Sequence, residues 1–466
     1  MRNHRNWRVA AVVAATLAPL AGAGAEATIG ELLERLEQQE QKILVLERKL
    51  EIQEEAGAAA KKETAVVSAG PRGFTLKSAD SRNQLRLHGV LHVDGRSLDG
   101  TDPTGLSDGW QATRVRPTFE GSFGGIYDFK FTPDFGQGRT VIQDAFLVAG
   151  LDPAFAVTAG KFKSPVGLER LQSASDIRFV QRGFPTSLAP NRDLGLQVGG
   201  ELLGGRLNYA AAWLNGSNDG ASSEAFGDAD VNDDKEYALR LFAHPFAESD
   251  SFALRGLGFG IAGTWTDQTG NATQPLLSTV RTPGQSTFFR YRGGTTPTIA
   301  DGERTRIAPQ LYYYAGPLGL LGEYTGVSQD ISRPTAAGTR TGTVDNSAWQ
   351  LAASWFLTGE EAAFRGFKPK TVFSPSDGTW GAFELVARLQ QFDAEDAAFA
   401  GGADSFASSD EAARQATSWG VGLNWYLNDT LKWMLDYERT SFDGGAPAGA
   451  DREDEDALLM RIALGF

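Results

Sequence analysis

The chain has 466 residues, 55 glycines, no cysteine and 58 acidic against 44 basic side chains. The missing cysteine excludes disulfide scaffolds, thiolate zinc sites and cysteine nucleophiles, and the acid excess argues against a nucleic-acid partner. Beyond the first 25 residues no run of 18 apolar residues exists, so a helical membrane span is not expected.

Residues 1–25 have the build of a secretory signal peptide. Arg2, Arg5 and Arg8 form a basic start, VAAVVAATLAPLAG a short apolar core, and Ala23, Gly24 and Ala25 a small-residue end, with cleavage expected after Ala25 or Ala27. Its three arginines leave with it, so 41 of the 44 basic residues remain. Residues 26–56 follow with a heptad: Ile29, Leu32, Leu36, Gln39, Ile43, Leu46, Leu50 and Gln53 recur at spacings of three and four. A narrow a/d seam of this kind predicts a short coiled coil, weakened by glutamine at two of its d positions. A single amphipathic helix is the alternative. An Ala-rich stretch then reads as a linker over 57–81.

From residue 82 the period changes to two, the signature of strands. In QLRLHGVLHVDGR, Leu85, Leu87, Leu91 and Val93 oppose Arg86, His88, His92, Asp94 and Arg96. In TRVRPTFEGSF, Val115, Phe119 and Phe123 oppose Arg114, Arg116, Thr118 and Glu120, and Lys130 shares the polar side of YDFKFTPD. At the end, Leu458, Met460, Ile462, Leu464 and Phe466 oppose Leu459, Arg461 and Ala463. Tight turns such as Gly124-Gly125, Asp152-Pro153, Gly204-Gly205, Gly316-Pro317 and Asn428-Asp429 alternate with long polar loops near 98–108, 164–193, 215–234, 267–302, 328–342, 393–415 and 443–455. Trp and Tyr recur near strand ends. Short turns on one rim, long loops on the other and aromatic girdles predict an all-β fold, a transmembrane antiparallel β-barrel over 82–466. Sixteen segments can be placed, centred from residue 90 to residue 461, with both termini on one rim. Two connections break the scheme: 136–139 is short where a loop is due, and 358–378 long where a turn is due. A 16-stranded barrel encloses a water-filled lumen.

The stretches AGKFKSPVGLERLQSASDIRFVQRGFPTSLAPNRDLGLQVGGEL, TRIAPQLYYYAGPLGLLGEY, WQLAASWFLTGE, WGAFELVARL and GVGLNWYLND resemble the phosphate-selective porin O/P family, in order, from about residue 80 to Phe466. The preceding heptads are similar to those of its dicarboxylate-channel relatives. The resemblance implies a homotrimer in the outer membrane of a Gram-negative bacterium, with the third long loop folded into each lumen as the constriction and the coiled coil in the periplasm. Phe466 resembles the terminal aromatic read by the barrel-assembly machinery.

The expected activity is passive diffusion of small anionic solutes such as phosphate or dicarboxylates, since a charged constriction concentrates counter-ions. The candidate anion-binding residues are Arg86, Arg114, Arg116 and Lys130 on the early strands, and Lys161 and Lys163 where the fifth strand enters the third loop. That loop adds Arg170, Arg178, Arg182 and Arg192. Guanidinium forks suit carboxylate and phosphate oxygens, while pairing with Glu169, Asp176 or wall carboxylates would merely pin the loop. Lys161 and Lys163 share a parity that Phe162 between them contests. Members selective for phosphate rely on lysines at the constriction. None lies between Ser164 and Leu194, which favours dicarboxylates. Acidic residues gather in outer loops, Asp219, Glu224, Asp228, Asp230, Asp233 and Asp234 in one and Asp451, Glu453, Asp454, Glu455 and Asp456 in another. These are read as solvated loops, with cation bridges to lipopolysaccharide as the functional alternative.

No cofactor, metal or catalytic group is expected. GFGIAG (258–263) leads into a strand and not a helix, and His88 and His92 stand about 13 Å apart on an extended strand, too far for one zinc. Two other readings stay open: a weakly selective or cation-favouring pore governed by the acidic loops, and an envelope tether or adhesin for which the barrel is an anchor.

Overall fold

The computed structural model describes residues 29–63, 65–70, 73–99, 107–228, 230 and 232–466. The expected signal peptide lies outside the described residues. The described chain divides at residue 64 into two units.

The first unit is an α-helix, Ile29–Glu63. Ile29, Leu36, Ile43, Leu46 and Leu50 are all exposed, so these seam positions have no partner among the described residues. The helix runs past the expected boundary at residue 56, because the Ala- and Lys-rich AGAAAKKE keeps a strong helix propensity. The rest of the expected linker is not a linker either. Val66–Gly70 and Gly73–Lys77 form an antiparallel hairpin, and its second strand pairs with Gln84–Leu87.

The second unit is a closed barrel of sixteen antiparallel strands. These are β1 (Gln84–Asp99), β2 (Gly109–Phe123), β3 (Tyr127–Asp134), β4 (Val141–Asp152), β5 (Phe155–Lys163), β6 (Arg192–Leu202), β7 (Leu207–Leu214) and β8 (Glu236–Ala243), followed by β9 (Leu257–Thr269), β10 (Ile299–Ala315), β11 (Leu318–Thr335), β12 (Gly338–Phe356), β13 (Ala382–Asp393), β14 (Ala413–Tyr426), β15 (Leu431–Gly444) and β16 (Glu455–Gly465). Each pairs with its neighbour, and β16 closes on β1 in a register from Asp456↔Asp99 to Gly465↔Val90. Phe466 adds one more link, exchanging backbone hydrogen bonds with Gly89. Closure leaves no open edge among the spanning strands, the condition a sheet must meet in hydrocarbon.

Alternation sorts the side chains. Leu147, Leu196, Leu239, Ile261, Ile307, Leu351, Leu385 and Val421 are exposed on the outer face, while the alternating lumen face buries Gln310, Thr325, Gln350, Arg388 and Asn424. Trp213, Tyr237, Trp265, Trp419 and Tyr437 gather toward the long-loop rim, and Trp355, Trp425 and Trp433 toward the short-turn rim. These are the two aromatic girdles of a lipid-facing barrel. One expected loop is absent. Residues 328–342 form the ends of β11 and β12, paired from Ser328↔Asp345 to Thr335↔Gly338, because polar alternation can continue as a ladder beyond the lipid.

L3 (164–191) and L5 (270–298) enter the lumen, as do Ser217 and Asp219 of L4 (215–235), which meet Arg304 and Arg306 of β10. L3 is built like a core. Val166, Leu168, Ile177, Phe179, Val180, Phe184 and Leu188 are at most 2% exposed, and each such burial contributes about 1.5–3 kcal/mol. Phe184 and Leu188 join Phe288 and Phe289 of L5, Phe406 and Phe392 in one cluster with Val327 and Ile331 of the wall. The long connection 357–381 on the short-turn rim also turns inward. Phe367 stacks on Phe356 at 4.7 Å and packs at a tilt against Tyr426 at 4.1 Å, and Phe364 stacks on Tyr312 at 4.9 Å.

Candidate functional site

L3 is fastened to the β11–β15 wall by carboxylates and amides that accept its backbone N–H groups. Glu323 accepts from Leu168 at 2.6 Å and Glu169 at 3.3 Å, Asp436 from Val180 at 2.6 Å, and Gln390 from Phe184 at 2.8 Å. Glu169 folds back to accept from Gly183 at 2.7 Å. Gln350 donates to both Glu169 and Glu323, and it lies so close to Gly183 that a Cβ there would push its amide aside. Arg388 completes the seat, paired with Glu438 at 2.6 Å, donating to the Gln181 carbonyl and lying over Phe179. Glu323, Asp436 and, through Arg388, Glu438 are therefore engaged in anchoring.

The opposite wall, β1–β6 with β16, keeps a surplus of cations. Some are paired: Arg461 makes a two-pronged bond to Asp94 at 2.6 Å on each prong, Arg116 meets Asp134 at 2.8 Å, and Arg192 meets Asp144 at 2.8 Å. Arg86 pairs with Glu120. Others are held by neutral groups. Arg114 contacts the His92 ring at 3.0 Å and Lys163 donates to the Gln172 carbonyl at 2.6 Å, while Lys432, from the neighbouring β15, donates to the Ile177 carbonyl at 2.9 Å. Arg182 donates to the Glu169 and Gln172 carbonyls at 3.1 and 3.0 Å. Among the described residues no carboxylate lies within ion-pair distance of Arg114, Lys130, Lys163, Arg182 or Lys432. Burial, Arg192 and Arg116 push the Arg182 guanidinium down to about 10 against the pull of Glu169, so it stays cationic at neutral pH.

Two cavities follow this wall. A chamber of about 1320 Å³ opens toward the short-turn rim, lined among others by Arg86, Lys130, Lys163 and Arg192. A smaller one, about 370 Å³, opens toward the long-loop rim beside Asp94, Arg96, Arg114, Arg139, Arg461 and Gln181. Arg116 lines both, so the junction of the two lies at its level, and Val180 and Gln181 of L3 border the smaller one.

The candidate residues thus divide. Arg86, Arg116, Lys130, Lys163, Arg178 and Arg192 face the chamber, and Arg114 and Arg116 the smaller cavity. Arg170 donates to the Thr186 carbonyl inside L3, and Arg182 acts from within the loop. Arg178 is a clip: it pairs with Glu384 of β13 at 2.8 Å, donates to the Ala363 carbonyl at 2.6 Å and lies over Tyr314. Lys161 departs from the expectation. Its register partners are Ala145 and Leu194, on the outward side of the sheet with Leu147 and Leu196, and it pairs with Asp228 of L4 at 2.5 Å. Parity fails there because the side chains regroup as the strand turns into L3: Phe162 faces the lumen, and Lys163 follows it inward.

Sequence reasoning missed Arg461, Lys432, Arg96, Arg139, Arg365 and Lys368. Parity was available for Arg461, which shares the small-residue face of β16. Nothing local marked Arg365 and Lys368, which reach the chamber only because 357–381 folds inward. Lysine is absent from L3, yet Lys130, Lys163 and Lys432 bring ammonium groups to the chamber from the wall.

A family model described as phosphate-selective porin O and P matches residues 85–466. Among solved structures, the outer membrane channel DcaP of Acinetobacter baumannii superposes with a TM-score of 0.51 at 11% identity, covering 84% of this chain and 99% of that one. An anion-selective porin from Comamonas acidovorans gives 0.49 at 13% identity, covering 82% and 100%. At such identities a likeness speaks to fold alone. A search of curated protein sequences gives no match.

Proposed function

Since the chain belongs to the phosphate-selective porin O and P family and is a porin channel, we propose that it conducts small anions across the outer membrane, dicarboxylates ahead of phosphate. One observation carries this reading. Glu323 and Asp436 of the β11–β15 wall hold L3, while, among the described residues, Arg114, Lys130 and Lys163 of the facing wall and Lys432 of β15 have no carboxylate partner. Unpaired positive charge beside low-dielectric walls attracts anions and repels cations from the narrow passage. Guanidinium groups stand at the junction of the two cavities, and their planar forks fit carboxylates, while the lysines stand in the wider chamber.

In the full reading the Ile29–Glu63 helices of three copies wind into a periplasmic coiled coil, three barrels stand as a homotrimer, the acidic outer loops face lipopolysaccharide, and Phe466 guides assembly. The pore reading is tested by adding succinate or phosphate to single channels carrying chloride current in a planar bilayer. Succinate is expected to reduce chloride conductance at lower concentration than phosphate. Equal indifference to both would overturn the carboxylate preference, and the absence of channels would return the tether reading.

A further inference from the structure

Val66–Gly70 is an edge strand. Among the described residues it pairs on one side only, with Gly73–Lys77, and all five of its residues are exposed. Its sequence, VVSAG, holds neither charge nor proline, the usual devices that blunt a free edge. The hairpin also extends the barrel's apolar exterior. Cross-strand partners Ala69, Phe74, Leu87, Phe119 and Phe131 form one row over five strands, and Phe74, Phe119 and Phe131 are exposed.

Lipid does not suit this surface, because unpaired backbone amides and carbonyls at a sheet edge are costly in hydrocarbon. Another protein surface does. The helix that carries the heptad seam ends at Glu63, ten residues past the last seam position, Gln53, and the edge strand begins at Val66. A seam of that pattern is completed by further copies of the same helix, and only two residues separate helix and hairpin in the sequence. Copies gathered by their helices therefore bring their hairpins together with neighbouring barrels. In a three-fold assembly the contact is heterologous, so the hairpin meets the neighbour's outer wall and not its own counterpart.

We infer that hairpin 66–77 is the surface by which each barrel seats against the next copy, a reading that rests on the homotrimer proposed above. The chain contains no cysteine, so single introduced thiols report without background. Val67→Cys and, separately, Phe74→Cys in the full-length protein are labelled in outer membranes with maleimide-benzophenone and irradiated. Ile261→Cys, exposed on β9 and eight strands from β1 in either direction, serves as the control. Covalent dimers and trimers are expected from both hairpin positions and not from Ile261→Cys. The mass of the unirradiated complex is measured in parallel. A trimeric mass with no hairpin cross-link, or with a cross-link to a different protein, would overturn the inference alone. A monomeric mass would overturn the trimer and the inference together.

Discussion

Glu323 shows how one side chain holds the constriction. Its carboxylate accepts from the backbone of Leu168 and Glu169 and from the Gln350 amide. Leucine there would leave two buried N–H groups unpaired, at about 1–3 kcal/mol each. Glu323→Leu is expected to lower the temperature at which the barrel unfolds on a heat-modifiability gel and to add noise to the open current, with Glu323→Gln milder because it keeps an acceptor. The cation wall gives a second expectation. Arg114→Gln combined with Arg116→Gln should lower the anion-to-cation permeability ratio several-fold by removing charge at the junction of the cavities. Lys161→Met should leave that ratio unchanged, since Lys161 faces outward. Arg86, Arg114, Arg116 and Lys130 were legible because strict alternation fixes a strand's polar face. Lys161 and Lys163 were not, because alternation ends where the strand becomes a loop.

Among the elements, L3 and the connection 357–381 behave as one fitted piece. Arg178 ties L3 to β13 and to Ala363, Gln172 donates to the Phe364 carbonyl at 2.9 Å, and the Gly366 N–H donates to Asp176 at 3.2 Å. Arg178→Met keeps the stem's bulk and breaks the clip. It is expected to raise conductance and open-channel noise while the anion preference persists, measured by single-channel recording. Lost selectivity at normal noise would instead make Arg178 part of the anion path. The sequence marked both segments as long, and L3 was placed in the lumen by resemblance. Which way 357–381 folds was hidden, since Phe364 and Phe367 meet Tyr312 and Tyr426 only once distant strands are adjacent. The hairpin 66–77 was missed for a related reason: five-residue strands after an Ala-rich run give too few alternations to separate from a linker.

For the molecule as a whole, the formal charge of −14 and the basic passage are compatible because the two signs are sorted by place. Many acids lie in outer loops or hold L3, while the wall beside the passage carries more cations than the acids that pair with them. The barrel itself was legible from strand period, turn alternation and girdles, since a closed sheet repeats its pattern sixteen times. The surplus was not, because it depends on which acids bind L3. A selectivity that arises from this field should weaken with salt: the Debye length falls from about 10 Å at 0.1 M to about 3 Å at 1 M, so the permeability ratio is expected to move toward unity across that range. The most direct test is the reversal potential of single channels in a planar bilayer under a tenfold KCl gradient of low mean concentration. A potential on the chloride side is expected. A potential on the potassium side would contradict it and assign the field to the acidic loops.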